Sequence, residues 1–316
     1  YGGLQDNGTW YGSSLTKENY DWYDSGHNPF TGINGGDGMQ VQVDFRDNKT
    51  IYSGSQFGAY SRQNLLTKER KSVRPSRDLG ETALRYNWQT PILLSRHNQD
   101  VFYYGSNKFH RSFNRGDSLV TLSADLTTNP TQGDVPFGTI TDISESALKK
   151  GLLYAGTDDG QLHVTKDDGA TWTKINKGLP NKWVSRVVAS KYDEGTAFVS
   201  LTGYREDDFE AYLYMSTDFG ETWKSIVNNM PSESINVIRE DPSDQDILYV
   251  GTELGAYCSI DKGKTWHSLC KTLPTCAVHD LALHAGTGDL VAGTHGRSAF
   301  VHHAKEIQKI KQEVAK

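Results

Sequence analysis

A turn that recurs along the chain constrains the fold more than any other feature. Residues 165–172 (Thr-Lys-Asp-Asp-Gly-Ala-Thr-Trp), 216–223 (Ser-Thr-Asp-Phe-Gly-Glu-Thr-Trp) and 259–266 (Ser-Ile-Asp-Lys-Gly-Lys-Thr-Trp) share the pattern (S/T)-x-D-x-G-x-T-W. A decayed copy, Ser-Phe-Asn-Arg-Gly-Asp-Ser-Leu, occupies 112–119. The pattern glycines are Gly116, Gly169, Gly220 and Gly263, at intervals of 53, 51 and 43 residues. Related segments recur as well: Ile51-Tyr-Ser-Gly-Ser, Phe102-Tyr-Tyr-Gly-Ser, Leu153-Tyr-Ala-Gly-Thr, Leu248-Tyr-Val-Gly-Thr and Leu290-Val-Ala-Gly-Thr. Period-2 apolar runs between turn residues make each unit a four-stranded antiparallel meander. In the unit around Gly263 the strands are expected near 235–239, 248–251, 256–260 and 265–269. Four-stranded repeats of ~40–50 residues are propeller blades. The Asp of D-x-G bonds the backbone of its own turn, and Gly takes the positive-φ position. The Trp then opens the outer strand and wedges between sheets.

The turn resembles the Asp-box, or BNR repeat, of sialidases, sortilin-type Vps10 domains and two-propeller xyloglucanases. The resemblance is closer to bacterial sortilin-like or BNR-repeat glycosyl hydrolase proteins. Residues 1–10, 35–38, 69–75, 87–88, 183–186 and 293–297 carry it. It implies an all-β propeller over residues 1–303, with about 6–7 blades of four antiparallel strands. First strands are expected near 40–45, 91–94, 139–143, 185–189 and 235–239. A partial blade covers 278–301, and residues 1–11 form part of an incomplete first blade. Residues 304–316 place Ile307, Ile310 and Val314 on one face, as an amphipathic helix or a linker. The chain opens at Tyr1 inside what reads as a strand and turn, so it is taken as part of a longer protein. Its missing N-terminal propeller portion is then a partner.

Composition limits the function. The 316 residues carry a formal charge of −6, which argues against a general binder of nucleic-acid backbones. No apolar run approaches the ~18 residues of a membrane span. The resemblance implies a secreted, periplasmic or outer-membrane-associated bacterial protein. No metal or cofactor pattern is found: HExxH, GxSxG and Walker A sequences are absent, and Cys258, Cys270 and Cys276 contain no CxxC pair. No disulfide is expected to be essential. If one forms, Cys270–Cys276 is favoured.

The loops between second and third strands lie on the face opposite the Asp-boxes. Asp167, Asp218 and Asp261 are therefore read as structural. The opposite loops carry Gln5 and Asp6, Gln56, Asn107, Asp158 and Asp159, Glu253 and His295. One unit inserts residues 203–209 there, including Arg205, Glu206, Asp207 and Asp208. Varied polar residues on a repeated scaffold suit a ligand site for a peptide or polysaccharide. Arg205 is expected to pair with the acids of this sector. Glycoside hydrolysis needs two carboxylates across a cleft, and Asp158 with Glu253 is the candidate pair, with Asp6 and Asp37 as other acids. In the xyloglucanases a loop similar to 157–160 supplies one carboxylate, and the pair spans two propellers. The sialidase family's Arg-Ile-Pro motif is absent. Residues 11–38 read as an aromatic insertion with Tyr20, Trp22, Tyr23, His27 and Phe30, suited to stacking on a sugar face. The preferred function is an exported, sortilin-like binding propeller. The alternatives are a xyloglucanase-like hydrolase needing a second propeller, and a scaffold subunit of a cell-envelope complex.

Overall fold

The computed structural model describes residues 1–13, 15–16, 29–77, 79–271 and 273–314. Tyr20, Trp22, Tyr23 and His27 lie outside them. The described residues form seven antiparallel sheets, the blades of a β-propeller. They belong to two compact units, Tyr1–Asp125 with Thr131–Ile140, and Leu126–Pro130 with Thr141–Lys316.

The first unit holds blades 1 to 3. Blade 1 pairs Gly2–Leu4, Gly8–Tyr11 and Thr31–Asn34. The expected insertion at 11–38 therefore ends in a strand: Tyr11 faces Thr31 and Thr9 faces Asn34. Blade 2 comprises Gln42–Val43, Thr50–Ser55, Ala59–Asn64 and Arg70–Ser72. Blade 3 comprises Ile92–Leu94, Phe102–Gly105, Phe109–Ser112 and Val120–Thr121.

The second unit holds blades 4 to 7. Blade 4 runs Ile140–Glu145, Leu153–Thr157, Leu162–Thr165, Thr173–Lys174. Blade 5 runs Trp183–Ala189, Ala197–Gly203, Asp208–Ser216, Lys224–Ser225. Its expected loop insertion is a lengthened hairpin: Gly203 faces Asp208 across a single 3-10 turn, Tyr204–Glu206. Blade 6 runs Ile235–Glu240, Leu248–Thr252, Ala256–Ser259, His267–Ser268. Blade 7 has three strands, Val278–His284, Asp289–Thr294 and Ala299–His303, and leads into helix α1, Ala304–Val314. The helix is docked. Ala304 and Ile307 are buried with apolar residues of blades 6 and 7, and Lys311 Nζ reaches Asp244 and Asp246 of blade 6 at 2.6 and 2.8 Å.

The core lies between successive sheets. One cluster joins Tyr154, Leu162 and Ile175 of blade 4 to Val184, Val199 and Leu201 of blade 5, and another joins Phe198 and Ile226 to Ile238, Val250 and Trp266. The inner strands are tied by side chains. Thr141 Oγ1 donates to the Val184 carbonyl at 2.7 Å, Ser185 Oγ to that of Ile235 at 2.7 Å, and Asn236 Nδ2 to that of Val278 at 3.4 Å. Gln40 Oε1 likewise accepts from the Ile92 N–H in the first unit, at 3.1 Å. These bonds satisfy backbone groups that an unpaired strand edge would leave open.

The repeated turns share one bonding pattern. Asp218 accepts from the Ser216 hydroxyl (2.7 Å), the Thr222 N–H (2.9 Å) and the Thr222 hydroxyl, and the Gly220 N–H donates to Ser216 Oγ at 2.8 Å. Asp167 and Asp261 repeat the pattern. The residue before each Gly is left-handed too: φ is 63° at Asp168, 61° at Phe219 and 59° at Lys262. Two of the full turns also grip the preceding blade. Trp223 Nε1 donates to the Ile175 carbonyl at 2.7 Å and Trp266 Nε1 to that of Ile226 at 2.8 Å. A Cβ on Gly220 would meet Ile175 at 2.4 Å, and one on Gly263 would meet Ile226 at 3.0 Å.

Candidate functional site

In each meander the 2→3 loops lie opposite the motif turns, so the polar positions expected from sequence share a face within each unit. In the first unit, Asp6, Asp37 and Gln56 are linked. The Asp6 N–H donates to Asp37 Oδ1 at 2.8 Å, and the Asp37 N–H donates to Gln56 Oε1 at 3.3 Å. Asp6 reaches this place through a left-handed φ of 61°. Beside Gln56, Phe57 and Trp88 form an edge-to-face pair with centroids 5.0 Å apart, and Trp88 is exposed. This pair was not singled out as a site from sequence, because Trp88 lies in the connection between blades 2 and 3 and not in a 2→3 loop.

Asn107 is drawn into the scaffold. Its Oδ1 accepts from the Arg85 N–H at 3.0 Å and its Nδ2 donates to Asp125 Oδ2 at 2.8 Å. Arg85 also pairs with Asp125 at 2.8 Å. In the second unit, Asp159 is engaged similarly: its Oδ2 accepts from the N–H and hydroxyl of Thr128 at 2.6 and 2.7 Å. Asp125 and Thr128 belong to the long stretch between blades 3 and 4, so that stretch takes up both side chains. Asp158 is buried at 4% exposure.

Blades 5, 6 and 7 bring three expected residues together around a fourth. His279, on the inner strand of blade 7, stacks against His295 with centroids 5.1 Å apart and ring planes at 34°. Although His279 is exposed, its pKa is lowered, first by desolvation; Glu253 opposes the shift, while His295 and Arg205 add to it. Glu253 Oε1 accepts from Asn236 Nδ2 at 2.9 Å. His279 occupies the register that Thr141, Ser185 and Asn236 hold in earlier inner strands, a signal the sequence contains.

Arg205 does not pair with the nearby acids. Its guanidinium lies over the Trp183 ring at 4.2 Å. Lys182 takes the expected role, reaching Glu206 Oε2 at 2.6 Å and Asp208 Oδ2 at 3.0 Å. Asp208 also accepts from the Tyr212 hydroxyl at 2.8 Å, and its pKa is lowered chiefly by the bond from Lys182. The 3-10 turn explains the exchange: it carries Arg205 back over the residue that opens its own blade, beside Lys182. Tyr204 and Phe209, both exposed, meet edge to face at 5.8 Å. Leu254 stands exposed in the corresponding loop of blade 6.

Further along the inner strands runs a charged network that sequence reasoning missed. Arg186 Nη1 contacts Asp142 at 3.2 Å, and Arg186 Nη2 contacts Asp280 Oδ1 at 3.3 Å. Arg239 Nη2 meets the same Asp280 oxygen at 2.7 Å. Burial raises the Asp142 pKa despite Arg186, whereas Asp280, whose side chain is more than half exposed, has its pKa lowered by Arg239 and Arg186. The signal is single charges at one register of otherwise apolar strands. The three cysteines are free thiols, with Cys258 buried and its pKa raised by burial to about 11. Among the described residues, no group of three or more His, Cys, Asp or Glu is arranged to hold a metal ion.

The family model Sortilin-Vps10, described as sortilin, neurotensin receptor 3, matches residues 160–284. The chain is a β-propeller, and residues 160–284 are similar to the sortilin-Vps10 family. That segment contains Arg205, Glu253 and His279 and stops short of His295. No curated protein matches the chain. Among solved structures, the GH74 xyloglucanase from Xanthomonas campestris is similar with a TM-score of 0.63 and 18% identity, over 84% of this chain and 44% of that one. An ancestral GH74 enzyme gives 0.60 and 13%, over 81% and 34%. The extracellular domain of BT4673 from B. thetaiotaomicron gives 0.54 and 16%, over 84% and 32%. The chain thus spans less than half the length of each, and at these identities the likeness is one of fold. No helix among the described residues is long and apolar enough to cross a membrane.

Proposed function

We propose that this chain is an exported propeller that binds a peptide or glycan on the 2→3 loop face of blades 5 to 7. One observation carries the reading: His295 stacks on His279, Glu253 and Arg205 of two further blades act on the same imidazole electrostatically, and Trp183 is held under the Arg205 guanidinium. Such a surface offers flat faces for stacking, fixed donors and acceptors, and exposed apolar groups at Tyr204, Phe209 and Leu254. Binding is preferred to cleavage because the convergence is of imidazoles, a guanidinium and a single carboxylate. Export is supported by the likeness to an extracellular domain.

The test is binding to a random peptide library and to xyloglucan oligosaccharides, measured for the native chain and variants. Trp183→Ala, His279→Ala and Glu253→Gln should each weaken the binding found by ~10-fold or more. Asp218→Asn, on the opposite turn, should leave it unchanged. If the three loop-face variants bind normally while Asp218→Asn loses binding without losing its fold, the site has been placed on the wrong face.

A further inference from the structure

Within the first unit, three segments bring an exposed aromatic pair beside open polar groups. They are the crossing from blade 1 to blade 2, with Asp37; the 2→3 loop of blade 2, with Gln56 and Phe57; and the crossing from blade 2 to blade 3, with Trp88. Trp88 is held out from the core on a fixed turn. Its neighbours Asn87 and Thr90 are buried. Asn87 Oδ1 accepts from the Gln89 N–H at 3.0 Å, Asn87 Nδ2 donates to Thr139 Oγ1 at 3.0 Å, and the Thr90 hydroxyl donates to the Asn87 carbonyl at 2.7 Å. This Asx turn fixes the main chain around Trp88, yet the residue stays 40% exposed.

Phe57 is placed against it at a conformational cost. The Phe57 N–H donates to the Trp88 carbonyl at 3.2 Å, and its φ is 55°. Left-handed backbone suits Gly, Asn and Asp and is strained for a bulky side chain, and such strain collects at functional sites. Among the described residues, Phe57 and Phe219 alone are aromatic residues with positive φ, and Lys166 Nζ lies over the Phe219 ring at 4.3 Å. The next residue leaves the turn no room to relax: Gly58 has φ 74°, and a Cβ there would meet the Tyr104 hydroxyl at 2.0 Å.

The polar groups stand one residue along. Gln56 Oε1 accepts from the Asp37 N–H, and Asp37 Oδ1 accepts from the Asp6 N–H. Among the described residues, Gln56 Nε2 and Asp37 Oδ2 have no partner, and Oδ2 reaches the surface although Asp37 as a whole is buried. A free amide donor next to a free carboxylate acceptor matches vicinal hydroxyls, each of which gives and takes a hydrogen bond. An exposed indole face matches the C–H face of a sugar ring. The carboxylate disfavours an anionic sugar.

We propose that Trp88, Gln56 and Asp37 form a subsite for one neutral pyranose ring, separate from the loop-face site of blades 5 to 7. The ring stacks on Trp88, and two adjacent hydroxyls bond Gln56 Nε2 and Asp37 Oδ2.

Titration of residues 1–316 with the methyl pyranosides of glucose, galactose, mannose and xylose, followed by saturation-transfer NMR, tests this. At least one should bind. Trp88→Ala should weaken that binding ~10-fold or more, and Trp88→Phe, which keeps a ring, should weaken it less. Gln56→Glu keeps an acceptor for the Asp37 N–H but replaces the free donor with a second carboxylate. It should also weaken binding ~10-fold or more while leaving the Tm nearly unchanged. If Trp88→Ala fails to fold, Trp88→Phe and Gln56→Glu decide. Failure of all four sugars to bind overturns the proposal. So does binding that Trp88→Ala and Gln56→Glu both leave intact, which puts the sugar elsewhere. Binding of a proline-rich peptide but of none of the sugars, lost in Trp88→Ala, assigns the aromatic pair to a peptide and overturns it as well.

Discussion

Trp266 shows how one residue of the repeat does two jobs. Both of its N–H groups donate to protein rather than to water: the residue is 4% exposed, its backbone N–H donates to Asn229 Oδ1 at 2.8 Å, and its indole N–H donates to the Ile226 carbonyl of the preceding blade. Truncation removes a large apolar area and leaves the Ile226 carbonyl unpaired. Trp266→Ala should therefore cost ~3–5 kcal/mol in urea unfolding. Trp223→Ala should cost less, because that ring is only partly buried. Equal losses, or none, would show that the indole bond does not anchor the blade. The motif aspartates act differently. Bonds from Thr171 and Thr222 hold Asp167 and Asp218 down to about 2, so these turns keep their acceptors ionised well below neutral pH.

At the level of the element, the motif turn is a clamp between blades. Its glycine is required twice: φ is 88° at Gly220, and a Cβ there would press within 2.4 Å of Ile175. Gly178 separates the two effects, since its φ is 85° and a Cβ would meet nothing within 4 Å. Gly178→Ala carries only the backbone strain, of ~1 kcal/mol. Gly220→Ala adds the collision and should be clearly the less stable variant by thermal unfolding. If the two match, the clamp contact is soft and the glycine serves the turn alone.

For the molecule as a whole, buried imidazoles set the response to acid. Burial pushes His110 and His163 from 6.5 down to about 4. His110 is packed between Ser106 Oγ at 2.8 Å and Thr121 Oγ1 at 3.1 Å. Between those pH values the unfolded chain binds protons that the folded chain refuses. The stabilisation is complete above about 6.5 and is lost as pH falls through about 4. The urea midpoint should therefore fall from pH 7 to pH 4.5, and less steeply in a His110→Gln, His163→Gln variant. A midpoint that rises on acidification would contradict this sign. The all-β propeller itself was legible because the motif bonds are local: Asp218 reaches only Ser216 and Thr222. Strands predicted around Gly263 came within a few residues of those observed, for the same reason.

The site was legible only in outline. Repeat position placed Asp6, Gln56, Glu253 and His295 in 2→3 loops, because a meander alternates its turns between two faces. It could not reveal which of these positions stay open to a ligand. Asn107 and Asp159 are taken up by Asp125 and Thr128, partners 18 and 31 residues away. The choice between Lys182 and Arg205 for Glu206 and Asp208 rested on the direction of one 3-10 turn. The His279 cluster and the Asp142–Arg186–Asp280–Arg239 network each join residues from separate blades. Periodicity encodes the backbone bonds within a blade, whereas the side-chain partners between blades depend on how successive sheets pack.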